Sequence, residues 1–185
     1  MARTPSVMIP LGSKAGDFVL PDTKTGNPVS LNKAKGNKGT VIMFICNHCP
    51  FVKHVNPELV RIANDYSGKG ISFIAISSND AQQYPEDGPD TMKKVASELK
   101  YPFPYLYDES QDVAKAYQAA CTPDFFIYDK DLNLVYRGQL DSSRPGSDIP
   151  LTGKDMRAAL ENIINNKPVS EDQIPSIGCN IKWKS

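Results

Sequence analysis

Thr40-Val41-Ile42-Met43-Phe44-Ile45-Cys46-Asn47-His48-Cys49-Pro50-Phe51 is the stretch that decides the fold. Its first half is an unbroken apolar run rich in β-forming residues, which predicts a strand buried on both faces, as in a parallel or mixed sheet. Its second half opens a helix. Val52, Val55, Leu59, Ile62, Ala63 and Tyr66 recur at helical spacing over about Pro50 to Tyr66, and Pro57 inside that pattern predicts a kink. Cys46 and Cys49 therefore stand where a strand hands over to a helix. The first turn of a helix presents unpaired N–H groups and the positive end of the helix dipole. Both favour a thiolate, which is the nucleophilic form of cysteine. A second thiol close by resolves a mixed disulfide. Cys-x-x-Cys in a βαβ context reads as a redox motif.

Upstream of this stretch, residues 1–15 read as an extended arm. Asp17–Leu20 and Val29–Leu31 read as short strands around the turn Thr25-Gly26-Asn27-Pro28, and Lys33–Gly39 as a polar loop. Downstream, Ile71–Ile76 is a second buried strand, and Asn79–Pro89 a polar loop. Met92, Val95, Ala96 and Leu99 mark a helix, Pro104–Tyr107 a strand, and Val113, Ala116, Tyr117 and Ala120 another helix. Phe125–Tyr128 and Leu134–Leu140 read as a hairpin across the turn 129–133. Ser142–Gly153 is a loop, Met156, Leu160, Ile163 and Ile164 mark a last helix, and residues 167–185 form an irregular tail. The order β-α-β-α-β-α-β-β-α predicts an α/β fold with a central mixed sheet flanked by helices, an N-terminal β extension and one domain over residues 12–166.

The chain has 185 residues, 40% of them hydrophobic and 23% charged, as in a globular protein able to bury a core. Lys plus Arg total 21 and Asp plus Glu total 21, and this neutral balance argues against nucleic acid and anionic membrane as partners. The N-terminal residues lack a signal-peptide core, and no apolar run nears the ~18 residues of a membrane span. The expectation is a cytoplasmic protein, in a compartment that keeps thiols reduced. Four Cys are too few for a disulfide scaffold, so spacing carries the argument.

Other readings of the same residues stand beside the redox one. Buried cysteines also serve as small hydrophobes. Cys46, His48, Cys49 and His54 offer soft ligands within one segment, which suits a metal-binding or metallochaperone module, but a structural zinc site usually takes a second, separated ligand pair. With Pro50 at the first helical position, Cys49 is the N-cap residue and the better-stabilised thiolate. His48, when protonated, further favours a thiolate. Asp141 and Arg144 lie in the loop after the hairpin, where charges are usually solvated. The strand before the cysteines carries no Asp or Glu to act as a base.

These residues, together with Cys121-Thr122-Pro123-Asp124-Phe125-Phe126, resemble the thioredoxin-like superfamily, and within it the peroxiredoxin-like redoxins of the AhpC/TSA-related group, over roughly residues 12–165. Gly178-Cys179-Asn180-Ile181-Lys182-Trp183 is similar to a motif of that subgroup. The resemblance implies a thioredoxin-like fold in which Thr122 and Pro123 form a cis-proline loop against the active cysteines, with Cys121 close enough to serve as an extra resolving thiol. The tail Cys179 is a second candidate resolving thiol. In the usual thioredoxin arrangement the N-terminal cysteine attacks, against the helix-cap argument for Cys49. The implied function is thiol–disulfide exchange on a protein or small-molecule disulfide, with a cellular thiol reductant and no organic cofactor. A thiol peroxidase acting on hydroperoxide with Cys49 as peroxidatic cysteine is the alternative. The peroxidase pattern Pro-x-x-x-Thr-x-x-Cys is broken here, since Ile42 and Cys46 hold its Pro and Thr positions and its Arg position falls near Pro123. The copper-carrying SCO group gives the metal reading a precedent, at a spacing one residue longer.

Overall fold

The computed structural model describes residues 3–184; Met1, Ala2 and Ser185 lie outside it. In chain order the elements are β1 (Thr4–Pro5), β2 (Val19–Pro21), β3 (Pro28–Ser30), α1 (Leu31–Ala34), β4 (Gly39–Phe44), α2 (Pro50–Ser67), β5 (Ile71–Ser77), α3 (Pro89–Glu98), β6 (Tyr105–Tyr107), α4 (Asp112–Ala116), β7 (Cys121–Thr122), β8 (Asp124–Asp129), β9 (Leu134–Tyr136), α5 (Lys154–Ile164) and β10 (Ile177–Asn180). A short 3-10 turn, Pro85–Asp87, precedes α3.

Every residue of β4 is buried, as its unbroken apolar run predicts. Alternation along the strand sends Val41 and Met43 into one core cluster and Ile42 and Phe44 into the other. β8 divides Phe125 and Ile127 from Phe126 and Tyr128 in the same way. Each of these fully buried aliphatic or aromatic side chains stabilises the fold by roughly 1.5–3 kcal/mol relative to exposure. The first cluster is closed by α2, α3 and α5 through Val55, Leu59, Ile62, Met92, Met156 and Leu160, and the second by Leu31 of α1 and Ala114 of α4.

The main sheet has the order β6-β5-β4-β8-β9. β4 runs parallel to β5, and β5 to β6, while β4–β8 and β8–β9 are antiparallel. This is the mixed, helix-flanked sheet of a thioredoxin-like fold. β2 and β3 form the expected N-terminal hairpin, with Gly26 at φ +77 in its turn. α2 continues through Pro57 as one element. The strand expected over Leu134–Leu140 ends at Tyr136, because the next backbone donors turn to the tail: Arg137 N–H to Gln173 Oε1 (2.7 Å) and Gln139 N–H to the Ile174 carbonyl (2.8 Å).

Beyond Tyr136, Arg137 is fully buried and ion-paired with buried Asp124 (Nη1 to Oδ1 3.0 Å), its guanidinium 3.5 Å above the Phe126 ring. Asp124 also accepts from Ser6 Oγ and the Ala120 N–H, so four donors on three segments fix the chain next to Pro123. The tail is irregular up to Ser176, as expected, but then forms β10, which the sequence reading did not anticipate. β10 lies between β1 and β7 in a small antiparallel sheet, with Cys179 opposite Thr122 and Asn180 opposite Cys121. No helix among the described residues is long and apolar enough to cross a membrane.

Candidate functional site

The site is built at the end of β4. Ile45 donates its N–H to the Ile76 carbonyl, and the chain then leaves the sheet through Cys46, Asn47 and His48. Cys49 is the N-cap residue of α2 with extended backbone (φ −65, ψ 124), and Pro50 occupies the first helical position. Lys53 closes the first turn by donating to the Cys49 carbonyl. Proline is favoured there because its missing N–H is one of the helix's unpaired donors in any case.

The Thr122–Pro123 peptide is cis, and Thr122 faces both cysteines. Cys46 Sγ lies 3.3 Å from Thr122 Oγ1, and Cys49 Sγ, in its thiol form, donates to the Thr122 carbonyl at 3.2 Å. Cys46 and Cys49 are hydrogen-bonded to each other. A third sulfur completes the group: Cys179 Sγ stands 2.8 Å from Cys49 Sγ. All are closed off from solvent, at 1%, 0% and 3% exposure for Cys46, Cys49 and Cys179.

The environment separates the thiols. The Cys46 thiol, donating to Cys49, is the main cause that pulls Cys49 down to about 5; burial opposes this, and the Cys179 thiol and the Val52 N–H of the first helical turn add to it. The same hydrogen bond, then burial, then the negative charge of Asp87, push Cys46 up. Burial and the neighbouring Cys49 thiolate push Cys179 up to about 12. One thiolate thus sits among thiols that donate to it. Removing the main donor tests this. In Cys46→Ala the thiolate ultraviolet absorbance of Cys49 is expected to titrate ~1–3 pH units higher than in the parent protein, each unit being about 1.4 kcal/mol of lost preference for the anion. An unchanged midpoint would show that the helix terminus and the Cys179 thiol hold the thiolate without Cys46.

His48 lies over the pair with a partner that sequence reading missed. Its Nδ1 is 2.5 Å from Asp87 Oδ2, and its ring stacks on Tyr84 at 5.5 Å. Asp87 is fully buried at the end of the 3-10 turn and also accepts from the Asn47 N–H, the His48 N–H and Asn79 Nδ2. The carboxylate absent from β4 is therefore supplied from the loop read as merely polar. Ligand atoms of Cys46, His48 and Asp87 lie within 4.8 Å of one another, a grouping that can be asked to hold a metal ion. Both Asp87 oxygens are already taken by these four donors, which suits a carboxylate that positions a ring better than one that ligates. The quartet Cys46, His48, Cys49 and His54 is not gathered, since His54 Nε2 pairs instead with Ser143 Oγ at 2.9 Å.

Cys121 is not brought to the pair. Neighbouring residues of β7 point to opposite faces, so Thr122 faces the site while Cys121 faces Ser6 Oγ (4.0 Å) and the Pro123 carbonyl (3.5 Å). Asp141 and Arg144 are structural. Asp141 accepts from the Ser143, Thr152 and Gly153 N–H groups and from Ser143 Oγ, and against the effect of burial these bonds hold its carboxyl low. Arg144 donates to the Asp141 and Ser143 carbonyls and to Gln139 Oε1. Together they frame a shallow recess beside Pro123, with a volume of only about 20 Å³, lined also by Phe51, His54 and Phe125.

The fold and this geometry can be set beside known proteins. A crystal structure of an uncharacterized conserved protein from Geobacillus kaustophilus matches with TM-score 0.98 at 64% identity, covering 100% of this chain and 97% of that one. The thioredoxin domain of a thiol-disulfide oxidoreductase from Bacteroides vulgatus matches with TM-score 0.61 at 24% identity over 81% of this chain and 98% of that one, a likeness of fold. Thiol-disulfide oxidoreductase ResA of Geobacillus kaustophilus is 25% identical over 160 residues, 86% of this chain and 82% of its own. The model of the AhpC/TSA family matches residues 11–137, well over half the chain, and the chain belongs to that family.

Proposed function

We propose that this thiol–disulfide oxidoreductase works through the Cys46–Cys49 pair, with Cys49 as the attacking thiolate. The observation that carries the reading is Cys49 at the N-cap of α2, its thiol pulled down to about 5 beside a hydrogen-bonded second cysteine. The Cys49 thiolate attacks one sulfur of a substrate disulfide; that S–S bond breaks and the other sulfur leaves as a thiolate, which is protonated. Cys46, once deprotonated, attacks Cys49, expels the remaining substrate thiolate and leaves a Cys46–Cys49 disulfide. A cellular dithiol returns the pair to its reduced form. Two electrons pass to the substrate and none are left over.

Cys46 must lose its proton although its surroundings hold that proton firmly. The His48 ring, oriented by Asp87 and with a nitrogen within 4.8 Å of Cys46 Sγ, takes that proton in this reading; with Nδ1 held by Asp87 the role falls to Nε2. In His48→Gln, the second step is expected to slow ~10²-fold, within the usual range for a positioned base. In Asp87→Asn the same step is expected to change its pH profile while the first attack keeps its rate. Rapid-quench measurement of substrate-thiol release and of Cys46–Cys49 formation separates the two steps; equal slowing of both would remove the base role.

The reading is tested by following reduction of a chromogenic disulfide with a dithiol donor, with Cys49→Ser as control. Support comes from the named activity of the ResA relative and from the broken peroxidase pattern, in which Ile42 and Cys46 replace the groups that hold peroxide. Hydroperoxide consumption outrunning disulfide reduction in the same assay would replace this reading with the peroxidase one.

A further inference from the structure

We infer that Cys179 is a third redox thiol, one that traps Cys49 in a Cys49–Cys179 disulfide before the bond passes to Cys46, so that Cys49 is the hub of a three-sulfur relay. This rests on the reading of Cys49 as the nucleophile.

The placement of Cys179 is built by several features. Its sulfur is 2.8 Å from Cys49 Sγ, on a different side chain contact from the Cys46 one, so Cys49 has a thiol partner from α2's own approach loop and another from β10. The β7–β10 register sets Cys179 opposite Thr122, the residue that touches both Cys46 and Cys49, and turns Cys121 and Asn180 away. Gly178 makes this approach sterically feasible. A Cβ at that position would fall 2.0 Å from the Thr122 carbonyl oxygen and 2.5 Å from its carbon, both backbone atoms that have little room to move. The tail is tied on both sides of Cys179. Before it, Ser176 Oγ donates to the Pro123 carbonyl and the Ser176 carbonyl accepts from the Ser6 N–H. After it, Ile181 N–H reaches the Ala120 carbonyl, and Lys182 is fixed by Asn79, Asp80 and Gln111.

The chemistry has a built-in order. While Cys49 is a thiolate, its charge and its hydrogen bond are among the causes that keep Cys179 protonated. Once Cys49 is capped by substrate as a mixed disulfide, both of these causes disappear and burial alone opposes ionisation, so Cys179 ionises more readily at the moment its attack is needed. Cys179 then attacks Cys49 Sγ: the Cys49–substrate bond breaks, the Cys49–Cys179 bond forms, and the substrate thiolate leaves. Attack by Cys46 on Cys49 next breaks Cys49–Cys179 and forms Cys46–Cys49, restoring Cys179 as a thiolate. This second exchange moves no net electrons. The two electrons of the whole sequence reside in the substrate thiols, which carry the two protons.

The test uses the full chain, reduced, then treated with one equivalent of glutathione disulfide, quenched in acid, alkylated and mapped by mass spectrometry. In Cys46→Ser, most molecules are expected to carry Cys49–Cys179. In Cys179→Ser they carry Cys46–Cys49, and in the parent protein Cys49–Cys179 appears early and gives way to Cys46–Cys49. Gly178→Ala combined with Cys46→Ser is expected to lower the yield of Cys49–Cys179 about tenfold, because sulfur access sets the exchange rate, while Gly178→Ala alone still forms Cys46–Cys49. The relay is overturned, with the pair reading intact, if Cys46→Ser stops as a Cys49–glutathione mixed disulfide with Cys179 alkylated while the parent protein forms Cys46–Cys49. Absence of any oxidation at Cys49 in the parent protein overturns both.

Discussion

Cys49→Ser is expected to abolish turnover of a disulfide substrate, a loss on the order of 10³-fold or more, because no other group in the site is an available thiolate near neutral pH. Cys46→Ser should behave differently. It keeps the attacking sulfur, so the first substrate thiol is released at close to its ordinary rate, and the defect falls on the later steps. The asymmetry follows from the surroundings. Cys49 has the helix N-terminus and two thiol donors on it, whereas Cys46 faces the Cys49 thiolate and the Asp87 carboxylate and is held protonated by both. Stopped-flow release of a coloured thiol measures the first step directly. If Cys46→Ser, and not Cys49→Ser, removes the burst, the attacking cysteine is the N-terminal one, as the usual thioredoxin arrangement has it.

Much of this was readable in the sequence, and the exceptions have physical reasons. The run Thr40–Ile45 and the helical spacing from Val52 to Tyr66 each span several residues of one periodicity, so the strand, the helix and the cysteines at their junction follow. Asp87 was hidden because its role depends on a 3-10 turn folding back across the chain to His48, and no local pattern announces such a contact. The strand that places Cys179 was hidden because β1, β7 and β10 are two to four residues long, too short for alternation to show. A signal did exist there: Gly178 beside a cysteine, with Ile177, Cys179 and Ile181 alternating, marks a strand that must come close to another backbone. Cys121 faces away from the pair because Thr122 and Cys121 are neighbours in an extended segment and only one of them can face it.

Oxidising Cys46→Ser is expected to raise its thermal stability, and the size of the rise decides between two opposing effects. A Cys49–Cys179 bond links residues separated by 130 positions, and in the chain-entropy account closing so long a loop in the unfolded chain stabilises the fold by about 4–5 kcal/mol. The bond also removes the Cys49 thiolate. A group whose folded value lies near 5 against an ordinary 9.0 contributes stability in full above the unfolded value and loses it as pH falls through the folded one; at pH 7 that contribution is about 2–3 kcal/mol. The loop term wins, and the hydroxyl of Cys46→Ser still donates to Cys49, so the offset keeps about this size. A net gain of ~1–3 kcal/mol at pH 7 corresponds to roughly 2–12 °C in melting temperature for a chain of this size, and the gain should grow as the pH is lowered toward 5 and there is less thiolate to lose. In Cys179→Ser the only disulfide at the site joins near neighbours and closes a loop worth about 2 kcal/mol, which the lost thiolate cancels, so oxidation should leave its melting temperature nearly unchanged. Differential scanning calorimetry of both oxidised variants against their reduced forms reads the contrast. Equal shifts in the two would mean that the tail is held in place by its hydrogen bonds alone and that its sulfur takes no part.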